Sequence, residues 1–210
     1  MTDQVVVVRG DGAAPAKPDS VELSLTVSAL EDSPDAALAR AAERSEELSR
    51  VMDGAGIPAD RRMTSGVMVH QQREYERQRW VDKGYLATAS TVIRLDDPTV
   101  LGTLMRDAAG RAQAQIDGPW WRVAPDNPAR AEACRLATAD ARRKAEAYAD
   151  GLGLRLGSAL SIREPGTMDP APRPGALALR AQAADGAEIQ VEAGSLDVTA
   201  AVEVTFQLQT

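Results

Sequence analysis

Two hydrophobic periods divide this chain. "VELSLTVSAL" (21–30) and "VTAAVEVTFQL" (198–208) carry apolar residues at nearly every second position, the pattern of a strand with one covered face. Strand character also runs through Val5–Arg9, Met63–Gln71, Tyr85–Leu95, Gln115–Val123 and Leu160–Arg163. Between these runs, three stretches repeat apolar or small residues every three or four positions, as one face of a helix does. Each opens on a small polar residue followed by proline: Ser33 with Pro34, Asp97 with Pro98, and Asn127 with Pro128. The polar side chain accepts from a first-turn N–H, and proline lacks the donor that would go unused there.

The spacing predicts a first helix with Leu38, Ala41, Ser45, Leu48 and Met52 inward, stopped by Gly54 or Gly56. A second runs from Pro98 to about Ala109, with Leu101, Leu104, Met105 and Ala108 inward and Gly110 closing it. The third runs from Pro128 to about Leu152 on a stripe of Ala131, Cys134, Thr138, Ala141, Ala145, Tyr148 and Leu152. That stripe is narrow and mostly small, which suits close packing on a sheet.

Residues 19–123 read as strand, helix, strand, hairpin, strand, helix, strand, and "TVSALEDSP" and "TVIRLDDP" make the two halves an internal repeat in outline. Two such units joined by a hairpin form the split βαβ arrangement. The predicted class is α+β: a ferredoxin-like antiparallel sheet extended by the terminal strands, with helices packed on one face. The whole chain, 1–210, is expected to be a single domain, with the long third helix at 126–153 and the C-terminal strand at 189–210. Residues 165–188, "PGTMDPAPRPGALALRAQAADGAE", fit no element and are expected to be an extended loop or oligomerisation arm.

Composition narrows the classes. A chain of 210 residues has enough surface to bury a real core, and with 3% aromatics that core is aliphatic and small. A net charge of -7 argues against a nucleic-acid surface, which needs clustered Lys and Arg. Cys134 is the only cysteine, so no intrachain disulfide forms. No stretch approaches the ~20 apolar residues of a membrane span. The start "MTDQVVVV" lacks the basic region and apolar segment of an export signal, which predicts a cytoplasmic chain, or a periplasmic or secreted one if a signal has been removed.

The opening "VVVVRGDGAAPAKPDS" invites a phosphate-cradle reading, but its glycines lead to prolines and an alternating strand, not to a helix N-terminus. "RGD" at Arg9–Asp11 stands without any other adhesion signal, so the stretch is expected to be a connection between two strands.

Taken together, "RGDGAAPAKPDSVELSLTV", "GIPADRRMTSGVMV", "KGYLATASTVIRLDD", "ADARRKAEAYADGLGLRLGSALSIRE" and "GSLDVTAAVEVTFQL" resemble, in order and spacing, the SIMPL-domain family, domain of unknown function 541. The resemblance implies an α+β fold and homo-oligomers, some of them rings or channel-like assemblies. It also implies links to oxidative stress and the cell envelope in bacteria, and to kinase-associated signalling in the animal member. No catalytic residue set comes with it. The chain departs from the bacterial pattern in lacking a visible export signal.

The candidate site residues are few. His70 is the only histidine and is expected in solvent at a strand end. Cys134 is expected on the buried stripe, behaving as a small hydrophobe. Asp96 and Asp97 read as a helix cap, and Asp140 with Lys144 as helix-face pairing. Trp120 and Trp121 are adjacent strand residues and so face opposite sides: one enters the core and the other must be covered, by the chain itself or by a subunit or ligand. The hairpin "HQQREYERQRWVDKG" sets Tyr75 and Trp80 among Arg73, Arg77 and Arg79, diluted by Glu74, Glu76 and Asp82. Trp120, Trp121, Tyr75, Trp80, Leu177 and Leu179 are therefore the candidate interface. The resulting expectation is a non-catalytic, self-associating scaffold or protein-interaction module with no cofactor, no metal, no nucleic acid and no membrane span. The alternative is a small-molecule binder with a pocket between the sheet and the third helix.

Overall fold

A computed structural model describes residues 4–76, 78–165 and 192–210. Along the chain run β1 (Val5–Ala16), β2 (Ser20–Glu31), α1 (Pro34–Gly54), β3 (Arg62–Glu76) and β4 (Arg79–Leu95). After them come α2 (Leu101–Arg111), β5 (Gln115–Arg122), α3 (Pro128–Gly151), β6 (Arg155–Arg163) and β7 (Leu196–Gln209). These elements gather into two compact units: one has all its described helices and strands in the continuous stretch 20–122 and also takes in 192–193, and the other comprises 4–19, 123–165 and 194–210.

The continuous unit, 20–122, holds a four-stranded sheet in the order β3-β4-β2-β5, every neighbouring pair antiparallel. That order, with α1 and α2 as the two crossovers, is the ferredoxin-like arrangement. The alternation of β2 is realised fully: Val21, Leu23, Leu25, Val27 and Ala29 are buried. Ile93 and Leu95 of β4, Leu48, Val51 and Met52 of α1, and Leu101, Leu104 and Ala108 of α2 are also buried. Each fully buried Leu or Val contributes roughly 1.5–3 kcal/mol relative to exposure. Both helices start as their sequences dictate: Ser33 Oγ accepts from the N–H of Ala36, and Asp97 accepts from the N–H of Thr99 at the head of a short 3-10 turn, Pro98–Val100, that leads into α2. The inward face of α1 differs slightly from the periodicity, because Ala37 and Val51 are buried while Leu38 is exposed. Burial of the small residue lets α1 lie close over Ala29 and Ala87.

The discontinuous unit corrects three expectations. First, the terminal strands do not extend the ferredoxin-like sheet: they form a second, three-stranded sheet in the order β1-β7-β6. β1 and β7 pair antiparallel without interruption from Val5 opposite Gln207 to Ala16 opposite Leu196, so each satisfies the other along its full length. Second, "RGDGAAPA" is strand and not a connection; only Lys17–Asp19 separate β1 from β2. Proline is admitted at Pro15 because β1 is an outer strand, where a missing N–H can face away from the ladder.

Third, the buried stripe of α3 is Ala133, Ala137, Ala141, Ala145 and Ala149, a strict four-residue repeat, and Cys134 is exposed. Ala131, Thr138, Tyr148 and Leu152, also assigned to the stripe, are exposed as well. The cause is contact with backbone. A Cβ at Gly10 would lie 2.0 Å from the Ala137 carbonyl oxygen, and one at Gly12 would lie 2.2 Å from that of Ala133. At such an approach only the smallest side chains fit, so the alanine face wins over the face with Cys134, Tyr148 and Leu152. Val8, Val202, Val204 and Phe206 complete this core. Over Gly10 and Gly12 the backbones of helix and strand are in direct contact.

α3 is also tied to β1 by polar contacts. Asp140 accepts the N–H of Asp11 at 3.0 Å, and the Lys144 ammonium donates to the carbonyl of Arg9 at 2.9 Å and pairs with Asp140 at 2.7 Å. Arg9 and Asp11 pair with each other at 3.1 Å, while Gly10 is buried beneath the helix, so "RGD" is not an exposed loop.

Candidate interaction surface

In the continuous unit, β3 and β4 form a hairpin that outruns its own sheet. The last residue of β2, Glu31, pairs with Tyr85; beyond Gly84 the hairpin has two strands and, among the described residues, no third. Gly84 sits where the ribbon departs, at φ 106°, and a Cβ there would stand 2.5 Å from the carbonyl oxygen of Glu31. Glycine is required by both conformation and space. The register also shifts at this point, Gln72 facing Gly84 and Arg73 facing Asp82, so Lys83 is an extra residue that sharpens the local twist.

An isolated two-stranded ribbon is marginal in water, and side chains hold this one. Tyr75 lies opposite Trp80, their rings edge to face with centroids 5.3 Å apart. Arg73 pairs with Asp82 at 2.8 Å, and Lys83 bridges Glu74 at 3.5 Å and Glu76. The hydrogen bond that Lys83 donates to Glu76 holds its ammonium above the ordinary lysine pKa. Despite these contacts the aromatic pair faces water: Tyr75 is 60% exposed and Trp80 68%.

The tryptophan pair divides as adjacent strand residues must. Trp121, opposite Val21, is 9% exposed and belongs to the helix-covered side; Trp120, opposite Glu22, is 44% exposed on the other. Beside Trp120 the Glu22 carboxylate takes Arg94 on one oxygen, at 2.6 Å, and Arg122 on the other, at 2.8 Å. Burial alone would raise the Glu22 pKa, but the two guanidiniums together hold it below the ordinary glutamate value. Thr26 and Ser90 share a hydrogen bond farther along the same face.

Of the other residues singled out, His70 is exposed, Asp97 is the cap and Asp96 instead pairs with Arg61 at 2.8 Å. Leu177 and Leu179, with most of 165–188, lie outside the described residues. Among the described residues no three His, Cys, Asp or Glu side chains converge as a metal site, and no helix is long and apolar enough to cross a membrane. The candidate interface left out the middle of β3, which exposes Met63, Val67 and Met68. The signal was present in "GVMV", where three consecutive apolar residues break the alternation of a strand with one wet face.

Fold and surface together define an α+β protein with a ferredoxin-like unit that carries an exposed aromatic ribbon. The sequence matches, over residues 6–206, the SIMPL family, described as a protein of unknown function (DUF541), and the chain belongs to that family. No curated protein matches it.

Proposed function

We propose that this SIMPL-family chain is a non-catalytic module that acts by self-association, as a scaffold whose contacts run through the projecting β3–β4 ribbon. The observation that carries this reading is the Tyr75–Trp80 pair, two large aromatic groups left in water at the end of an arm that nothing in its own sheet supports. Aromatic side chains bury about 150–250 Å² each and dominate interface hot spots. Covering these two supplies a driving force that intrachain packing leaves unused. The shifted carboxylates favour the non-catalytic part: Asp19, Asp97 and Asp140 are all held below the ordinary aspartate value by the N–H groups and side chains they anchor. Such groups stay ionised near neutrality, which suits holding a fold together better than exchanging protons. The stress-response and envelope settings implied by the resemblance belong to the same proposal.

The test is the solution mass by light scattering over a concentration series, for the protein and for Trp80→Ala. A multimer that dissociates at higher concentration in the variant than in the parent supports the reading. A strict monomer at every concentration sinks it.

A further inference from the structure

Every open sheet has outer strands whose free N–H and C=O groups invite pairing, and proteins guard them with proline, charge, bulges or covering groups. Among the described residues there are four outer strands, and three of them are guarded. β1 carries Pro15, and α3 takes up its outward groups, Asp140 accepting from Asp11 N–H and Lys144 donating to the Arg9 carbonyl. β5 is eight residues long and contains Pro119 and a register shift. β6 is broken by two register shifts. β3 is different: after one shift at Ser65 it runs in regular register from Gly66 to Gln72, with no proline and no Asp, Glu, Lys or Arg.

The side chains of that segment are equally open. Val67 is 64% exposed on the helix-facing side, where its neighbour Val69 packs partly against Ala29, Ala37, Ala41 and Ala87. Met68, 57% exposed, points to the opposite side. An occupant must therefore offer an unpaired strand edge and apolar groups on both faces at the same spacing.

We propose that this edge is occupied by β3 of a second copy of the chain, antiparallel and centred on Met68, joining two four-stranded sheets into one of eight strands. An antiparallel pair of identical strands is twofold symmetric, so each contact is made twice and the interface closes. Centring on Met68 sets Val67 against the second copy's Val69 on one face, twice, and Met68 against Met68 on the other. No like charges meet, because the segment has no formal charge. The same register carries the Tyr75 end of each ribbon past the start of the other copy's β3. The proposal rests on self-association and names its surface.

Two variants of the full chain, both with Cys134→Ser because Cys134 is exposed, test it. Met68→Lys places a guarding charge at the centre of the edge without touching the core. Met68→Cys places two thiols across the twofold axis, where directly opposite strand residues lie about 4.5–5.5 Å apart at Cα, within disulfide reach. The expected results are a fall in mass to monomer for Met68→Lys, with an unchanged circular-dichroism spectrum, and a covalent dimer on mild oxidation of Met68→Cys. A parent multimer that survives Met68→Lys and is not cross-linked by Met68→Cys, or is cross-linked only by Leu160→Cys on β6, overturns this surface and leaves self-association standing. A parent monomer removes both.

Discussion

A Cβ added to Gly10 would stand 2.0 Å from the carbonyl oxygen of Ala137 and 2.5 Å from the Ala141 nitrogen: here the backbone of a helix rests on the backbone of a strand. No rotamer change relieves a clash between main chains. Gly10→Ala is expected to destabilise the unit that holds α3 by about 3 kcal/mol or more. Gly54→Ala, where an added Cβ meets nothing within 4 Å, is expected to be neutral or slightly stabilising. Urea midpoints for the two variants check the contrast.

Asp140 ties the same helix to the same strand, and its carboxyl is held below the ordinary value of 3.8 by Lys144 first and then by the N–H of Asp11. A lowered folded pKa contributes stability that is present above the ordinary value and lost as pH falls through the lowered one. Asp19, which accepts from the Ala124 N–H and from Asn127, acts in the same sense. Stability is therefore expected to decline below about pH 4, and Asp140→Asn to flatten that decline while lowering stability near neutrality. Denaturation midpoints at a series of acid pH values measure both.

Trp120 and Trp121 are expected to behave oppositely. Trp121→Ala removes a buried ring and costs about 3–5 kcal/mol. Trp120→Ala, at a half-exposed position, is expected to change folding stability by less than about 1 kcal/mol. Any effect of Trp120→Ala on assembly would then appear without unfolding, which paired melting and light-scattering measurements resolve.

Cys134, on the outward face of α3, is expected to react with a thiol reagent in the folded protein at nearly the rate of a free thiol. Protection in the native state, released by urea, would place it back in a packed environment.

The three polar-proline helix starts were legible because capping is local chemistry: Ser33, Asp97 and Asn127 each accept from an N–H two or three residues on. The alternation of β2 was legible because one face of that strand meets helices throughout. The face of α3 was not, since alanine recurs all round this helix and apolar contrast is weak; the choice of face is made by Gly10 and Gly12, more than a hundred residues earlier in the chain. The second sheet was hidden for the same reason, as nothing local in β1 or β7 says which strand each will pair with. Of the candidate surface, the aromatic residues were visible by type, whereas the projection of the ribbon depends on where β2 ends relative to Gly84.

The full-length pairing of β1 with β7 has a consequence for how the chain is made. The helices and strands described for the ferredoxin-like unit all lie before residue 123, while the other unit cannot close its sheet until β7 emerges. Until then β1 lacks β7, its ladder partner among the described residues, and the alanine stripe of α3 lacks part of the surface it covers. The ferredoxin-like unit is thus able to form first during synthesis, and loss of β7 would unmake the other unit without removing any strand from it.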